Sequence, residues 1–260
     1  MKTNLHNAYL KEMGIDVWLE RRTSNLNSAM DSSLKAEFLP PENMKTEPQV
    51  ESHIIEPLSE IKNHPEKKDV EALDWQALAS TVSACQLCEL SETRKQTVFG
   101  MGKQTAPLMI IGDAPDEEDE KQGAVFTGQA GKLLTAMLKA MGYQRNEVYI
   151  SNIVKCKTLQ NQEPSDESVS ACAPYLIRQI NLLQPKLILA LGSITAQKLL
   201  KSKSTMGRLR GQLHYVENIN APVLVSYHPT YLLAAPNEKR KAWEDLQMAM
   251  KVLTVTEASA

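Results

Sequence analysis

Residues 186–200 read Lys-Leu-Ile-Leu-Ala-Leu-Gly-Ser-Ile-Thr-Ala-Gln-Lys-Leu-Leu. The run Leu187–Leu191 is strand-sized, apolar throughout and without polar alternation. It passes through Gly192-Ser193 into Ile194–Leu200, which fits a helix. A strand apolar on both faces must be covered on both faces, the situation of a parallel sheet between helical layers. The same grammar recurs on either side. Leu108–Ile111 and Val148–Val154 read as strands before it, and Val223–Tyr227 as one after it. Helices are expected at 131–141, ended by Gly142, at 167–183, stopped before Pro185, and at 238–252. A further helix, 70–85, precedes them, with Val70, Leu73, Trp75, Leu78 and Val82 as its apolar stripe. Strands alternating with helices predict an α/β fold. The expectation is a three-layer α/β/α domain over residues 70–255, around a central four-stranded parallel sheet.

The rest of the chain is different. Of 11 glycines only Gly14 precedes Gly100, and five of 13 prolines fall in residues 23–69, among Ser, Asn, Glu and Lys. That stretch has too little apolar surface to offset chain entropy and reads as a disordered, flexible linker. Ahead of it, residues 1–22 hold a short amphipathic segment. Tyr9, Met13 and Val17 stand four apart, and Leu10 and Trp18 extend the stripe. It is too short to fold alone, so it either docks on a partner or packs back on its own domain.

Composition bounds the partners. The chain has 260 residues, 29 Lys plus Arg against 31 Asp plus Glu, and a net charge of −2. A globally basic nucleic-acid-coating protein is excluded; a local basic groove is not. No apolar run is long enough for a membrane span. The first twenty residues lack a continuous apolar stretch and a small-residue cleavage site. A cytoplasmic protein is expected, and in a reducing compartment four cysteines do not read as two structural disulfides.

Chemistry is expected at the carboxyl ends of the strands, where open α/β sheets bind ligands. The first strand ends in Gly112-Asp113-Ala114-Pro115, the second in Ser151-Asn152, the third in Gly192-Ser193 and the fourth in Tyr227-His228-Pro229. A carboxylate, an amide, a hydroxyl and an imidazole would converge on one crevice. The acidic run 116–120 reads as a solvated loop. After it, Gly123-Ala-Val-Phe126-Thr-Gly128-Gln-Ala-Gly131 offers a flat ring between glycines and leads into a helix N-terminus. The cysteines form C-x2-C (Cys85, Cys88), a gap of 67 residues, then C-x15-C (Cys156, Cys172). Zinc and a [4Fe-4S] cluster both accept four thiolates. The loose second pair leans toward the cluster, and scattered buried cysteines are the plain alternative.

Several of these segments coincide with one family. Cys85-Gln-Leu-Cys88, Val98-Phe-Gly-Met-Gly102, Gly112-Asp-Ala-Pro115, residues 123–131, Asn152-Ile-Val-Lys-Cys156, Cys172-Ala-Pro-Tyr-Leu176, Leu209-Arg-Gly211 and His228-Pro-Thr-Tyr-Leu-Leu233 occur in order. From about residue 84 to 250 the chain resembles the iron–sulfur, type-4 uracil-DNA glycosylases. The resemblance implies excision of uracil from DNA by N-glycosidic hydrolysis after base flipping, in base excision repair. It implies that Cys85, Cys88, Cys156 and Cys172 ligate a structural [4Fe-4S] cluster. It further implies that Phe126 stacks on the flipped base, that Asn152 reads the uracil edge and that His228 bonds uracil O2. Asp113 would position water or stabilise the cationic sugar, Ala114 would bind the substrate, and Gly192, Ser193 and Arg210 would lie near DNA phosphates. Asp113 stands where the family usually has glutamate, Asp116 where it has glycine, and Ala234 where it often has arginine; each change should weaken catalysis or DNA binding. Residues 9–22 resemble the amino-terminal peptide of the psi subunit of DNA polymerase III, which docks on the clamp loader. The implied alternative is a weakly active glycosylase-fold subunit bound there. The expected partner is uracil-containing DNA, and the expected state a monomer of the bacterial cytosol.

Overall fold

The computed structural model describes residues 70–159 and 162–258. The docking-peptide and linker readings of 1–22 and 23–69, and with them the clamp-loader contact, lie outside the described residues. In chain order the helices are α1 (Trp75–Ala84), α2 (Leu90–Thr93), α3 (Glu117–Gln122), α4 (Gln129–Met141), α5 (Asp166–Leu183), α6 (Ser193–Leu200), α7 (Met206–Leu209), α8 (Pro229–Ala234) and α9 (Lys239–Ala258). The strands are β1 (Met101–Gly102), β2 (Leu108–Gly112), β3 (Tyr149–Asn152), β4 (Leu187–Leu191), β5 (Leu213–His214) and β6 (Val223–Ser226).

The sheet order is β1-β3-β2-β4-β6-β5. Its centre is the expected four-stranded parallel sheet, β3, β2, β4 and β6. The sequence reading missed β1 and β5, which pair antiparallel at the two edges. Each is only two residues long, too short to leave a periodic signal.

Within the apolar strands, alternate residues serve opposite layers. Leu108 and Ile110 of β2, with Leu187 and Leu189 of β4, join a core formed with α4 and α9. Met109 and Ile111, with Ile188 and Ala190, join a core formed with α5 and α6. Both faces are covered, and for this reason β2 and β4 lack polar residues. No described helix is long and apolar enough to cross a membrane.

Two local expectations are corrected. The single helix at 70–85 is broken, because the Asp74 carboxylate accepts from Ala77 N at 2.8 Å and starts α1 afresh. The acidic run is no solvated loop. Asp116 caps α3 by accepting from Asp119 N at 2.8 Å, and Asp119 and Glu120 are buried.

The chain runs from β2 to β3 on one side, then returns to β4 on the other. The order of the parallel strands therefore reverses between β2 and β4, and a crevice opens beyond their carboxyl ends.

Candidate active site

Strand register brings the predicted groups together. Gly112 pairs with Asn152 across β2 and β3, and Leu191 pairs with Ser226 across β4 and β6. The residues that follow these pairs reach the same crevice. A cavity of about 320 Å³ is lined by Asp113, Ala114, Phe126 and His228, among others. The Phe126 and His228 ring centroids are 5.5 Å apart, and Asp113 Oδ1 stands 3.7 Å from His228 Nε2. Gly192 packs against the His228 side chain.

Asn152 lies beneath this group, 1% exposed. Neither its Nδ2 nor its Oδ1 has a hydrogen-bond partner among the described residues. Leaving a buried amide unpaired costs about 1–3 kcal/mol, so such groups are rare outside sites that take a ligand. Gly112 shows where the amide points. A Cβ there would come 2.5 Å from Asn152 Oδ1 and 2.8 Å from Phe126 Cζ. Only glycine lets the amide and the aromatic ring approach the same strand end.

His228 has a defined polarity. It caps α8, where its Nδ1 accepts from Thr230 N at 3.2 Å. An acceptor at Nδ1 puts the proton of the neutral ring on Nε2. Burial holds this imidazole below its ordinary pKa, against the opposing pull of Asp113, then Asp119 and Asp116. The crevice thus presents a neutral N–H donor, a donor–acceptor amide, a flat ring and a carboxylate whose Oδ1 accepts from Ala114 N at 2.8 Å. A planar heterocycle with adjoining carbonyl and N–H groups matches that set.

The family model described as the uracil DNA glycosylase superfamily matches residues 99–247. A type-4 uracil-DNA glycosylase of Pyrobaculum aerophilum is 35% identical over 182 residues, covering 68% of this chain and 93% of that protein. Those of Archaeoglobus fulgidus and Thermotoga maritima are 33% identical over 184 residues and 34% over 176. These alignments cover 68% and 66% of this chain, and 92% and 91% of the two relatives. The chain belongs to the uracil DNA glycosylase superfamily.

Not every residue expected at the site of this superfamily member is drawn into the crevice. Ser193 is exposed at the start of α6. Arg210 turns to Asp245, with its Nη2 at 2.8 Å and its Nε at 3.2 Å from the two carboxylate oxygens. Asp245 also accepts from Ser226 Oγ at 2.8 Å. The Arg210 guanidinium sits 5.6 Å from the Tyr227 ring centroid and so braces the residue before His228. Its charge is spent inside the protein.

Sequence reasoning missed Asp119, whose carboxylate reaches the Phe126 turn, and Arg145, which reaches that turn from the opposite side. The signal for Asp119 was present. Asp116-x-x-Asp119 is the spacing of a helix start, which implies that one face of the acidic run is covered. Arg145 left no such mark.

The four thiols share one apolar cluster, with Leu78, Val82, Val154 and Tyr175 around them. Cys156 and Cys172 are buried, Cys85 and Cys88 partly so. Burial pushes Cys172 up to about 12 and raises Cys156 as well. Two basic side chains attend them. Arg94 Nη1 donates to Cys156 Sγ at 3.4 Å, and burial lowers the pKa of Lys155 to about 7, with Cys172 and Cys156 acting in the opposite direction. Among the described residues, no group of three or more His, Cys, Asp or Glu is arranged to hold a single metal ion.

Proposed function

We infer that this protein is a type-4 uracil-DNA glycosylase, hydrolysing the N-glycosidic bond of deoxyuridine in DNA as the first step of base excision repair. The unpartnered Asn152 amide under the Phe126 ring carries the inference. An amide offers an acceptor to an imide N–H and a donor to the adjoining carbonyl, and uracil presents both on one edge. A base inside a duplex cannot reach a buried amide, so the nucleotide must be extruded into the crevice.

Each side chain then has a task. Phe126 holds the ring plane. Asn152 selects uracil by pairing with its N3–H and an adjoining carbonyl. His228 Nε2–H donates to O2, where negative charge grows as the N1–C1′ bond lengthens. A preaimed donor of this kind contributes about 3–4 kcal/mol to the barrier reduction. Asp113 accepts a proton from the water that adds to C1′. The bond electrons leave on uracil, which is protonated on release. The cationic sugar is stabilised by the carboxylate beside it.

The donor set at the four cysteines fits a [4Fe-4S] cluster: thiols from α1's end, from the segment after β3 and from α5, in an apolar shell with basic side chains beside it. When bound, the cluster would supply structural cross-linking rather than chemistry, tying those segments together. Residues 9–22 would add recruitment to a clamp loader. Pull-down of clamp-loader subunits by the full chain, abolished in Trp18→Ala, tests that part.

The test of the activity is release of free uracil from a uracil-containing oligonucleotide by anaerobically purified protein. Release is expected from the wild type and is lost in His228→Ala. No release across single- and double-stranded substrates and salt concentrations overturns the activity. Visible absorption that disappears in Cys172→Ala is expected of the cluster, and a colourless wild type would refute it.

A further inference from the structure

Phe126 is held in a way that packing alone does not require. Its φ is +53°, in the left-handed region that a bulky side chain rarely enters. Its backbone is gripped from two sides. Asp119, 4% exposed, accepts from Phe126 N at 3.0 Å through Oδ2, and from Thr127 N at 2.7 Å and Thr127 Oγ1 at 2.8 Å through Oδ1. Arg145 Nη2 donates to Phe126 O at 3.0 Å and also to Val125 O. An anion therefore takes the turn's N–H groups and a cation its carbonyls, from α3 and from the segment that follows α4. The start of α4 closes the remaining side, since a Cβ on Gly131 would sit 1.6 Å from Phe126 O.

The strain has a geometric result. With φ positive, the ring is directed over Gly112 toward Asn152 and His228. Relaxation of residue 126 into an ordinary conformation would swing the ring off the amide. The hydrogen bonds of the Asp119 carboxylate go to residues 126 and 127, and those of the Arg145 guanidinium go to this turn and to Thr135. We propose that Asp119 and Arg145 form a two-sided clamp on the 125–127 turn and are positioning residues that hold the Phe126 ring against the flipped base. The clamp rests on the proposed function only for what the ring stacks upon.

A double-mutant cycle on the full chain separates positioning from direct action. Asp119→Asn and Arg145→Gln are each expected to slow single-turnover uracil release about 10- to 100-fold, the scale of a misplaced contact group. In a Phe126→Ala background the same substitutions should cost less than about twofold further, because the ring they position is gone. Losses that multiply fully in that background overturn the proposal, as does a wild-type rate in both single variants. Hydrogen exchange supplies a readout independent of activity. The amides of 126 and 127 should exchange faster in Asp119→Asn, while those of β4 keep their protection. Unchanged exchange at 126 and 127 overturns the clamp even if rates fall. Should Asp119→Asn fail to fold, Arg145→Gln carries the cycle and the exchange measurement. If the wild type releases no uracil, the proposed function fails, and exchange alone judges the clamp.

Discussion

Two polar side chains near the end of β3 are buried alike and treated in opposite ways. Lys155 and Asn152 are each 1% exposed. Lys155 Nζ donates to Ser151 Oγ at 2.6 Å, to Gln179 Oε1 at 2.7 Å and to the Asn152 carbonyl at 2.8 Å. Gln179 in turn donates to Phe99 O and to Tyr149 Oη. The Asn152 amide, three residues away, has no partner among the described residues. A satisfied network rigidifies the scaffold, whereas an unsatisfied one next to it is costly unless a ligand completes it. The fold thus anchors the backbone of Asn152 through Lys155 and leaves its side chain unpaired, as the proposed base-reading role requires.

The contrast breaks most directly at Asn152. Asn152→Ala is expected to lower uracil release by about 10²–10³-fold, the cost of one preorganised polar group. Its thermal stability should stay level or rise, because the mutation removes an unpaired buried amide. Uracil-release rates and a thermal melt on one preparation check both halves. An active, destabilised Asn152→Ala would mean that the amide is a structural group and the contrast is false.

The complementary change is Lys155→Met. It keeps the apolar stem and removes the donor shared by Ser151 Oγ, Gln179 Oε1 and the Asn152 carbonyl, of which Gln179 Oε1 still accepts from Ser151 Oγ. A loss of about 1–3 kcal/mol in denaturant unfolding is expected. Relief of a buried charge acts in the opposite direction and keeps the effect below that of a broken ion pair. Activity should fall less than in Asn152→Ala, since only the backbone anchor of Asn152 is loosened. Equal stability losses in the two variants would erase the distinction between scaffold and seat.

Much of this is legible in the sequence itself. Unalternating apolar runs gave the parallel sheet, because a strand buried on both faces leaves no other pattern. The strand ends named Asp113, Asn152, Ser193 and His228, and the glycine-flanked segment 123–131 named Phe126; the structure brings Asp113, Phe126, Asn152 and His228 around one crevice, while Ser193 stays exposed. What stayed hidden was satisfaction. A sequence does not say that Arg210 is neutralised by Asp245, so its charge was expected to face DNA. Nor does it say that Asp119 faces inward. Three turns of meaning lie in one acidic run: Asp116 caps a helix, Asp119 grips a turn, and Glu120 is buried where its Oε1 accepts from Lys95 N. Charge alone suggests solvent, and only the partners, distant along the chain, reverse that.

The smallest expected effect concerns His228, and it decides which of two opposing influences governs the crevice. Burial lowers its pKa, and the nearby carboxylates of Asp113, Asp119 and Asp116 push the other way. The Thr230 N–H aimed at Nδ1 favours the neutral ring. With the folded pKa below the unfolded value of about 6.5, the unfolded chain binds more protons between the two. Stability then rises with pH across that window, is complete above the unfolded value, and is lost as pH falls toward the folded one. Uracil release should weaken over the same interval, as a proton on Nδ1 collides with the Thr230 donor. Wild type and His228→Gln melted in parallel from about pH 8 to about pH 5, spanning the ordinary histidine range, should diverge, the wild type losing relative stability at the acid end. If it gains instead, the Asp113 carboxylate outweighs burial. The site would then hold an imidazolium–carboxylate pair, and the leaving uracil anion would meet a full positive charge rather than a neutral donor.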